Sequence, residues 1–434
     1  MSDNKIMKTR NIIGYEKFLV NQWIKLVTLG YFTRELMKGK IEKRKFFRIL
    51  QRLLYFLSKM KHNKYVKIGN RIKINLYIPA FPSPAFFNAC QKVVVFDEKM
   101  PDATVLISVT KACRYRCPHC YQKHDRGKDI DLDVLISTVK KIQDKGVAFF
   151  NIEGGEPFLV FDRLQKVCQA IDKRSEILIN STGDGMTYEK LQGIKSDNLL
   201  GIMFSLHTYI PEELNRFTGV DHAWATLEEG IELCHRVGIP VTLNTCLQRD
   251  AFYDGTFEKV MEKAREFGGV ILQLIKPKPA GGWLEGGAGR FSEEDVKWVV
   301  KKAFQYNLKR KYRSYTFISP MVYEESPRMF GCTSGATDRF YVNAKGDLQP
   351  CEFLNISFGN IARDDFDQIY NQMREVFRIP GDCLLCEKYA SRVNELMKQH
   401  HLDRLPLNPE LSKEIYQNWD RGKVPEFYRK MMDM

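Results

Sequence analysis

The chain has 434 residues, 44% hydrophobic and 12% aromatic, enough to bury the cores of two or three domains. Its net charge is +14, but sixteen Lys/Arg against four Asp/Glu in residues 1–64 account for +12, so the basicity belongs to an N-terminal arm and not to the body. Eleven cysteines without a secretory signal pattern argue for metal binding in a reducing compartment over disulfides, and no apolar run reaches the ~18 residues of a membrane span.

In the arm, residues 12–37 carry Phe18, Leu19, Trp23, Ile24, Val27, Tyr31 and Phe32 among Lys17, Lys25 and Arg34. Residues 43–61 place Phe46, Ile49, Leu50, Leu53, Leu57 and Met60 at helical spacing among Arg48, Arg52 and Lys59, which predicts a basic amphipathic helix. Two uses stay open: an extra helix packed on the body, or docking on an anionic membrane surface. A nucleic-acid arm is not expected, because the apolar face is too rich for a phosphate-binding tail. Residues 65–103 read as a β-hairpin turning at Gly69-Asn70, ended by Pro79, Pro82 and Pro84 and followed by a linker.

Strands are predicted at 104–110, 148–153, 176–180, 201–206, 240–247 and 269–275. Helices are predicted at 131–145, 161–172, 187–195, 221–237, 256–267 and 292–306. Alternating β and α units imply a parallel sheet, and chemistry on such sheets sits at the C-terminal strand ends. The first strand runs into Cys113, Cys117 and Cys120, spaced C-x3-C-x2-C. Thiolates are soft ligands for zinc or iron–sulfur, and three of them can hold three irons of a [4Fe–4S] cube while the fourth iron stays open. A zinc knuckle with a distant fourth ligand is the competing reading. The second strand ends in Glu153-Gly154-Gly155-Glu156-Pro157.

The cysteine triplet after a first strand, His119 before its third cysteine, and GGEP after a second strand together resemble the radical S-adenosylmethionine (SAM) family. The resemblance implies a partial (β/α)6 TIM-like barrel over 104–310, SAM on the open iron, and a 5′-deoxyadenosyl radical. It implies SAM contacts from Gly154, Gly155, Glu156 and Pro157, and from His119 and Tyr121 near the adenine. Ser205, at the end of the fourth strand, matches the family's ribose position. Asn180 and Asn244 end the third and fifth strands, and Arg216 is a candidate carboxylate partner. Lys276 to Gly282 form a loop placed to close over the site. Cys332, Cys351, Cys383 and Cys386, spaced C-x13-G-x4-C and C-x2-C around a turn at Lys345-Gly346-Asp347, resemble the SPASM/twitch extension, here 311–390. No cysteine follows Cys386, which matches the shorter twitch form with one auxiliary [4Fe–4S] cluster; a structural zinc ribbon is the alternative. Residues 391–434 read as a helical cover on the barrel or the extension. Cys90, Cys168, Cys234 and Cys246 remain, with Cys168 and Cys234 as core residues. Tyr323, Glu324 and Glu325 are candidates by position only, and no general base or radical donor is assigned.

The expectation is a cytoplasmic radical SAM enzyme, peripheral at the inner face of the membrane, reduced by a donor such as ferredoxin or flavodoxin. Residues 1–64 do not read as a compact strand-plus-helix peptide-recognition unit, and their basic apolar character favours a lipid or isoprenoid substrate. The alternatives are modification of a peptide or protein, and a non-catalytic iron–sulfur electron carrier.

Overall fold

The structure is a computed structural model and describes residues 9–93, 103–335 and 338–434. The chain begins with β1 (Thr9–Ile12), helices α1 (Gly14–Met37) and α2 (Lys43–Lys59), the hairpin β2 (Tyr65–Ile68) and β3 (Arg71–Lys73), and α3 (Pro84–Val93). Strand and helix then alternate through β4 (Thr104–Ser108), α4 (Leu132–Asp144), β5 (Phe149–Glu153), α5 (Phe161–Ala170), β6 (Glu176–Ser181), α6 (Tyr188–Ile194) and β7 (Leu199–Ser205). After α7 (Pro211–Thr218) and α8 (Ala223–Val237) come β8 (Val241–Cys246), α9 (Thr256–Glu266), β9 (Ile271–Ile275), α10 (Glu293–Leu308) and β10 (Phe317–Pro320). The remainder holds α11 (Met321–Glu324), β11 (Arg339–Val342), β12 (Asp347–Gln349), β13 (Gly359–Asn360), α12 (Phe366–Val376), α13 (Leu385–Lys388), α14 (Ala390–Gln399), α15 (Pro409–Tyr416) and α16 (Glu426–Met432). The crossover helices start where the sequence caps them: Asp131 accepts from two amides of α4, and Ser292 with Asp295 forms a capping box on α10.

One sheet runs β10-β9-β8-β7-β6-β5-β4-β11-β12-β13, parallel from β10 to β11. All six expected strands are present in the expected order as the partial barrel, with one further parallel strand on each side. A boundary at 310/311 therefore cuts through the sheet. β10 was not visible in the pattern because it has four residues and ends in a proline, and β11 belongs to the segment read as a separate extension.

The alternation of side chains builds the layers. Outward residues such as Val105, Ile107, Phe150, Ile152, Ile179, Phe204 and Leu243 join the helices in the main core. Inward residues change character along each strand: Phe149 to Asn151 to Glu153, Leu178 to Asn180, Met203 to Ser205, Ile271 to Gln273. The apolar lower layer packs against Val66, Ile68 and Leu76 of the hairpin region, which plugs the N-terminal end of the sheet. Lys73, fully buried, pairs with Glu176 at 2.7 Å and donates to Ile78 O; Glu176 also accepts from the Ala80 amide.

Residues 9–64 are not a free arm. β1 pairs with β2 and β2 with β3 in a three-stranded antiparallel sheet. The apolar face of α2 (Phe46, Ile49, Leu53, Phe56, Leu57) is buried with Phe32 of α1, Phe81 and Phe86, and Phe427 and Met431 of α16. The packed alternative for helix 43–61 is the one realised, and part of the C-terminal cover packs on this N-terminal unit. The linker's first half is α3, in the same core; its residues 94–102, and residues 1–8 of the arm, lie outside the described residues.

Removing one member of a buried ion pair strands the other charge. Glu176→Ala is expected to cost about 3–5 kcal/mol in urea unfolding, and Lys73→Met/Glu176→Met to recover much of that loss.

Candidate functional site

The cysteine loop leaves the C-terminal end of β4 and is held by the end of β5. Gly155 and Glu156 donate their amides to Thr110 O and Ala112 O, both at 2.7 Å. Gly154 has φ +157°, and a Cβ there would lie 2.5 Å from Thr110 O; one on Gly155 would lie 2.3 Å from Ala112 O. The close approach that this glycine pair permits is thus to the cysteine loop itself. From the other side, the loop after β9 covers the motif, with the Gly282 amide donating to Cys120 O at 3.0 Å.

Beside the cysteines lies a cleft lined by the upper inward residues of the strands and by Trp283 and Phe353. Its wall mixes apolar and polar surface in similar measure, and the polar part comes from Asn151, Glu153, Asn180, Ser205, Asn244, Gln273, Lys276, Lys278 and Glu352. Asn180 Nδ2 donates to Glu153 Oε2 at 3.1 Å, and Gln273 Nε2 donates to Tyr77 Oη at 2.6 Å. Several buried polar atoms here have no protein partner: Asn151 Oδ1, Glu153 Oε1, Asn180 Oδ1, His119 Nδ1 and His207 Nε2. Unpartnered buried groups are costly and mark a place for a polar ligand.

The protonation states follow from burial. Burial, reinforced by the charge of Glu352, pushes Glu153 up to about 8. Burial pushes Glu156 up to about 7 despite its hydrogen bonds, and His119 down to about 4. His207 is held well below its usual value by burial and by His119; the Cys246 amide donates to its Nδ1, which leaves the proton on Nε2.

Most of the sequence-derived candidates meet here. His119, Tyr121, Gly154, Gly155, Asn180, Ser205 and Asn244 all line the cleft, and so does Cys246. His119 sits in an aromatic box, its ring 4.9 Å from Phe217 and 4.8 Å from His207. Three candidates fall elsewhere. Glu156 is buried behind the wall, accepting from Phe158 N, Ser181 Oγ and both N and Oγ1 of Thr182. Pro157 is buried beside it. Arg216 is exposed on α7, outside the cleft; its neighbour Phe217 turns inward instead. The sequence reading missed Tyr77, His207, Gln273, Trp283 and Glu352. His207 lies two residues past Ser205 and had a local signal. Tyr77 and Glu352 had none, since they arrive from the hairpin region and from beyond β12.

The second cysteine set stands against the same cleft. Cys351 follows β12 and donates its thiol to Glu352, which lines the wall. Cys386 feels Cys332, and Cys383 feels Cys332 as well. Buried Lys278 pairs with Glu325 at 2.6 Å and Glu387 at 3.2 Å; these acids and Cys386 raise it above its ordinary value against the opposing effect of burial. Arg339 lies 3.6 Å from Glu352 and 3.9 Å from Glu325. Of the positional candidates, Glu325 thus joins the charge network, while Glu324 bonds Asn75 and Tyr323 packs on His62.

The donor chemistry fits iron–sulfur groups. Burial raises Cys113 to about 11 and Cys117 to about 12, and each feels Cys120, so the triplet needs nearby cationic charge to ionise. Among the described residues no three His, Cys, Asp or Glu side chains converge on one ion; in a [4Fe–4S] core each iron takes its own thiolate. Cys90, Cys168 and Cys234 are buried core residues.

Comparison with known proteins agrees with this geometry. The radical SAM superfamily model matches residues 107–267, and the model of SPASM, an iron-sulfur cluster-binding domain, matches residues 332–391. The chain is 23% identical over 306 residues to an AdoMet-dependent heme synthase of Nitratidesulfovibrio vulgaris, covering 64% of this chain and 83% of that protein. It is 22% identical over 304 residues to PqqA peptide cyclase of Gluconobacter oxydans, covering 66% and 83%. Among solved structures, Streptococcus suis SuiB bound to precursor peptide SuiA aligns with TM-score 0.52 at 15% identity, covering 87% of this chain and 88% of that one, a likeness of fold.

Anaerobic reconstitution is expected to load about eight irons per chain, and Cys113→Ala/Cys117→Ala/Cys120→Ala to retain about four, measured by iron content. Between about pH 5 and pH 8 the folded chain holds a proton on Glu153 that the unfolded chain has released, so stability falls as pH rises through that window; Glu156 acts in the same direction. Glu153→Gln is expected to flatten this slope in thermal unfolding scans without added ligand.

Proposed function

The chain belongs to the radical SAM superfamily and carries a C-terminal SPASM iron–sulfur domain, and from this premise we propose that it abstracts hydrogen from an unactivated C–H bond of a peptide or protein substrate. When bound, a [4Fe–4S] cluster on Cys113, Cys117 and Cys120 together with SAM supplies the one-electron cleavage that makes a 5′-deoxyadenosyl radical. The electron comes from a reductant of the ferredoxin or flavodoxin class.

The observation that carries the substrate class is the set of amide, carboxylate and lysine side chains on the cleft wall. An isoprenoid or acyl chain needs an apolar tunnel, whereas Leu106, Ile275, Trp283 and Phe353 are scattered among amides, carboxylates and lysines. Amide-bearing substrates suit Asn151, Asn180, Asn244 and Gln273. Residues 9–73 form a compact strand-plus-helix unit, β1, β2 and β3 with α1 and α2, so the objection to a peptide substrate loses its ground. PqqA peptide cyclase is named for a peptide, and SuiB is seen with one; nothing in the comparisons supports a lipid. The peptide alternative therefore replaces the lipid preference.

The chain's own groups divide the work. The paired backbones of the β5 end and the cysteine loop fix where the radical is made. His119, Tyr121, Gly154, Gly155, Asn180, Ser205 and Asn244 are the proposed SAM contacts, with Glu156 and Pro157 holding the segment from behind. Trp283 and the loop from Lys276 to Gly282 cover the cleft and exclude water. Glu153, protonated near neutral pH, presents Oε1 without a protein partner and can hold or release a proton there. The network of Lys278, Glu325, Glu387 and Arg339 ties the auxiliary thiols to the cleft wall.

With SAM and dithionite, the reconstituted protein is expected to release 5′-deoxyadenosine, and Cys117→Ala to release none; equal yields would reject the enzymatic reading in favour of an electron carrier. Deuterium is expected to enter the 5′-deoxyadenosine from a perdeuterated cellular peptide pool and not from a perdeuterated lipid extract, read by mass spectrometry.

A further inference from the structure

Helix α1 is apolar on two opposite faces, and the fold covers one of them. Ile24, Thr28 and Phe32 are buried in the N-terminal core, with Val20, Val27, Tyr31 and Leu36 packed against it. On the other side Tyr15, Phe18, Leu19, Trp23, Leu26 and Leu29 are exposed, Tyr15 at 74% and Leu26 at 68%, and Met37 at the end is 83% exposed. Their spacing of three and four residues makes one stripe along a helix about 36 Å long. A helix apolar all round is a buried helix, and a continuous exposed stripe is unlike the isolated apolar side chains found on any surface. Helix α2, for which the sequence leaves packing and docking both open, has its main apolar face in the core and exposes only Phe47 and Leu54, two turns apart.

Charge identifies what covers the stripe. Cations share its helix and the adjoining turn and helix: Lys25 and Arg34 on α1, Lys38 and Lys40 in the turn, and Lys43, Arg44, Lys45 and Arg48 on α2. Glu16 is already paired with Arg10 and Arg313, and Glu35 with Lys38 and Lys40. Lys25, Arg34, Lys43, Arg44, Lys45 and Arg48 have no ion-pair partner among the described residues. Residues 1–64 carry +12 in total. A second copy of this face would bring like charges together, whereas an anionic bilayer offers acyl chains for the stripe and headgroups for the cations. Among the described residues no helix is long and apolar enough to cross a membrane, so the contact is in-plane.

We infer that α1 lies in the interfacial plane of an anionic membrane, with Tyr15 at headgroup depth and the basic turn between α1 and α2 on the phosphates. No residue of the stripe lines the cleft. The inference is independent of the reaction proposed above.

The test is flotation of the full-length protein with phosphatidylcholine vesicles and with vesicles containing about 30% phosphatidylglycerol. Binding is expected to the anionic vesicles only, to weaken with salt, and to fall about tenfold or more in Leu19→Asp/Leu26→Asp and in Lys43→Glu/Arg44→Glu. Circular dichroism and 5′-deoxyadenosine release are expected to be unchanged, since these side chains are on the surface. Failure to bind either vesicle, or equal binding by wild type and both variants, would overturn the inference. So would a dimer in light scattering that Leu26→Asp disperses, because a second copy would then be what covers the stripe.

Discussion

The site depends on one contact between two backbones. The end of β5 and the loop that carries Cys113, Cys117 and Cys120 exchange hydrogen bonds across a gap too narrow for a side chain, which is why two glycines stand at 154 and 155. That contact sets the height of the cysteines above the sheet. Glu156 secures it from behind by spending both carboxylate oxygens on the amides and hydroxyls of its surroundings. Through these bonds Glu156 acts as a clamp on the contact.

Around that contact the sheet sorts its interior by depth. The same inward parity is apolar at the lower end, where the hairpin region fills it, and polar at the upper end, where the cleft opens. Burying carboxylates and lysines beside the cleft is expensive unless they are paired, and most are: Lys73 with Glu176 below, Lys278 with Glu325 and Glu387 above. Asn151, Glu153, Asn180, His119 and His207 on the cleft wall keep polar atoms without protein partners, as expected of a site whose stability is given up for binding.

The N-terminal region shows where periodicity reaches its limit. The pattern in 43–61 correctly marks an amphipathic helix, but amphipathicity says that a face is buried and not by what. The protein's own core covers that face. In α1 apolar residues occur on both sides, so its sequence shows little asymmetry, and only packing reveals that one side is taken and the other is not. The short β10 and the sheet partner of β11 were illegible for a related reason: a four-residue strand has no period to read, and pairing with β4 joins positions more than two hundred residues apart.

What the sequence determined by itself was local. The spacing of two cysteine sets, the glycine pair after a strand, and six strands alternating with helices identify the superfamily and the fold, because each rests on neighbours within a few residues. Only the tertiary structure decided the rest. It brought Tyr77 to the cleft, set Glu352 on the cleft wall and removed Arg216 to the surface. Those outcomes follow from sheet register and from which long-range surfaces meet, and no local pattern encodes either.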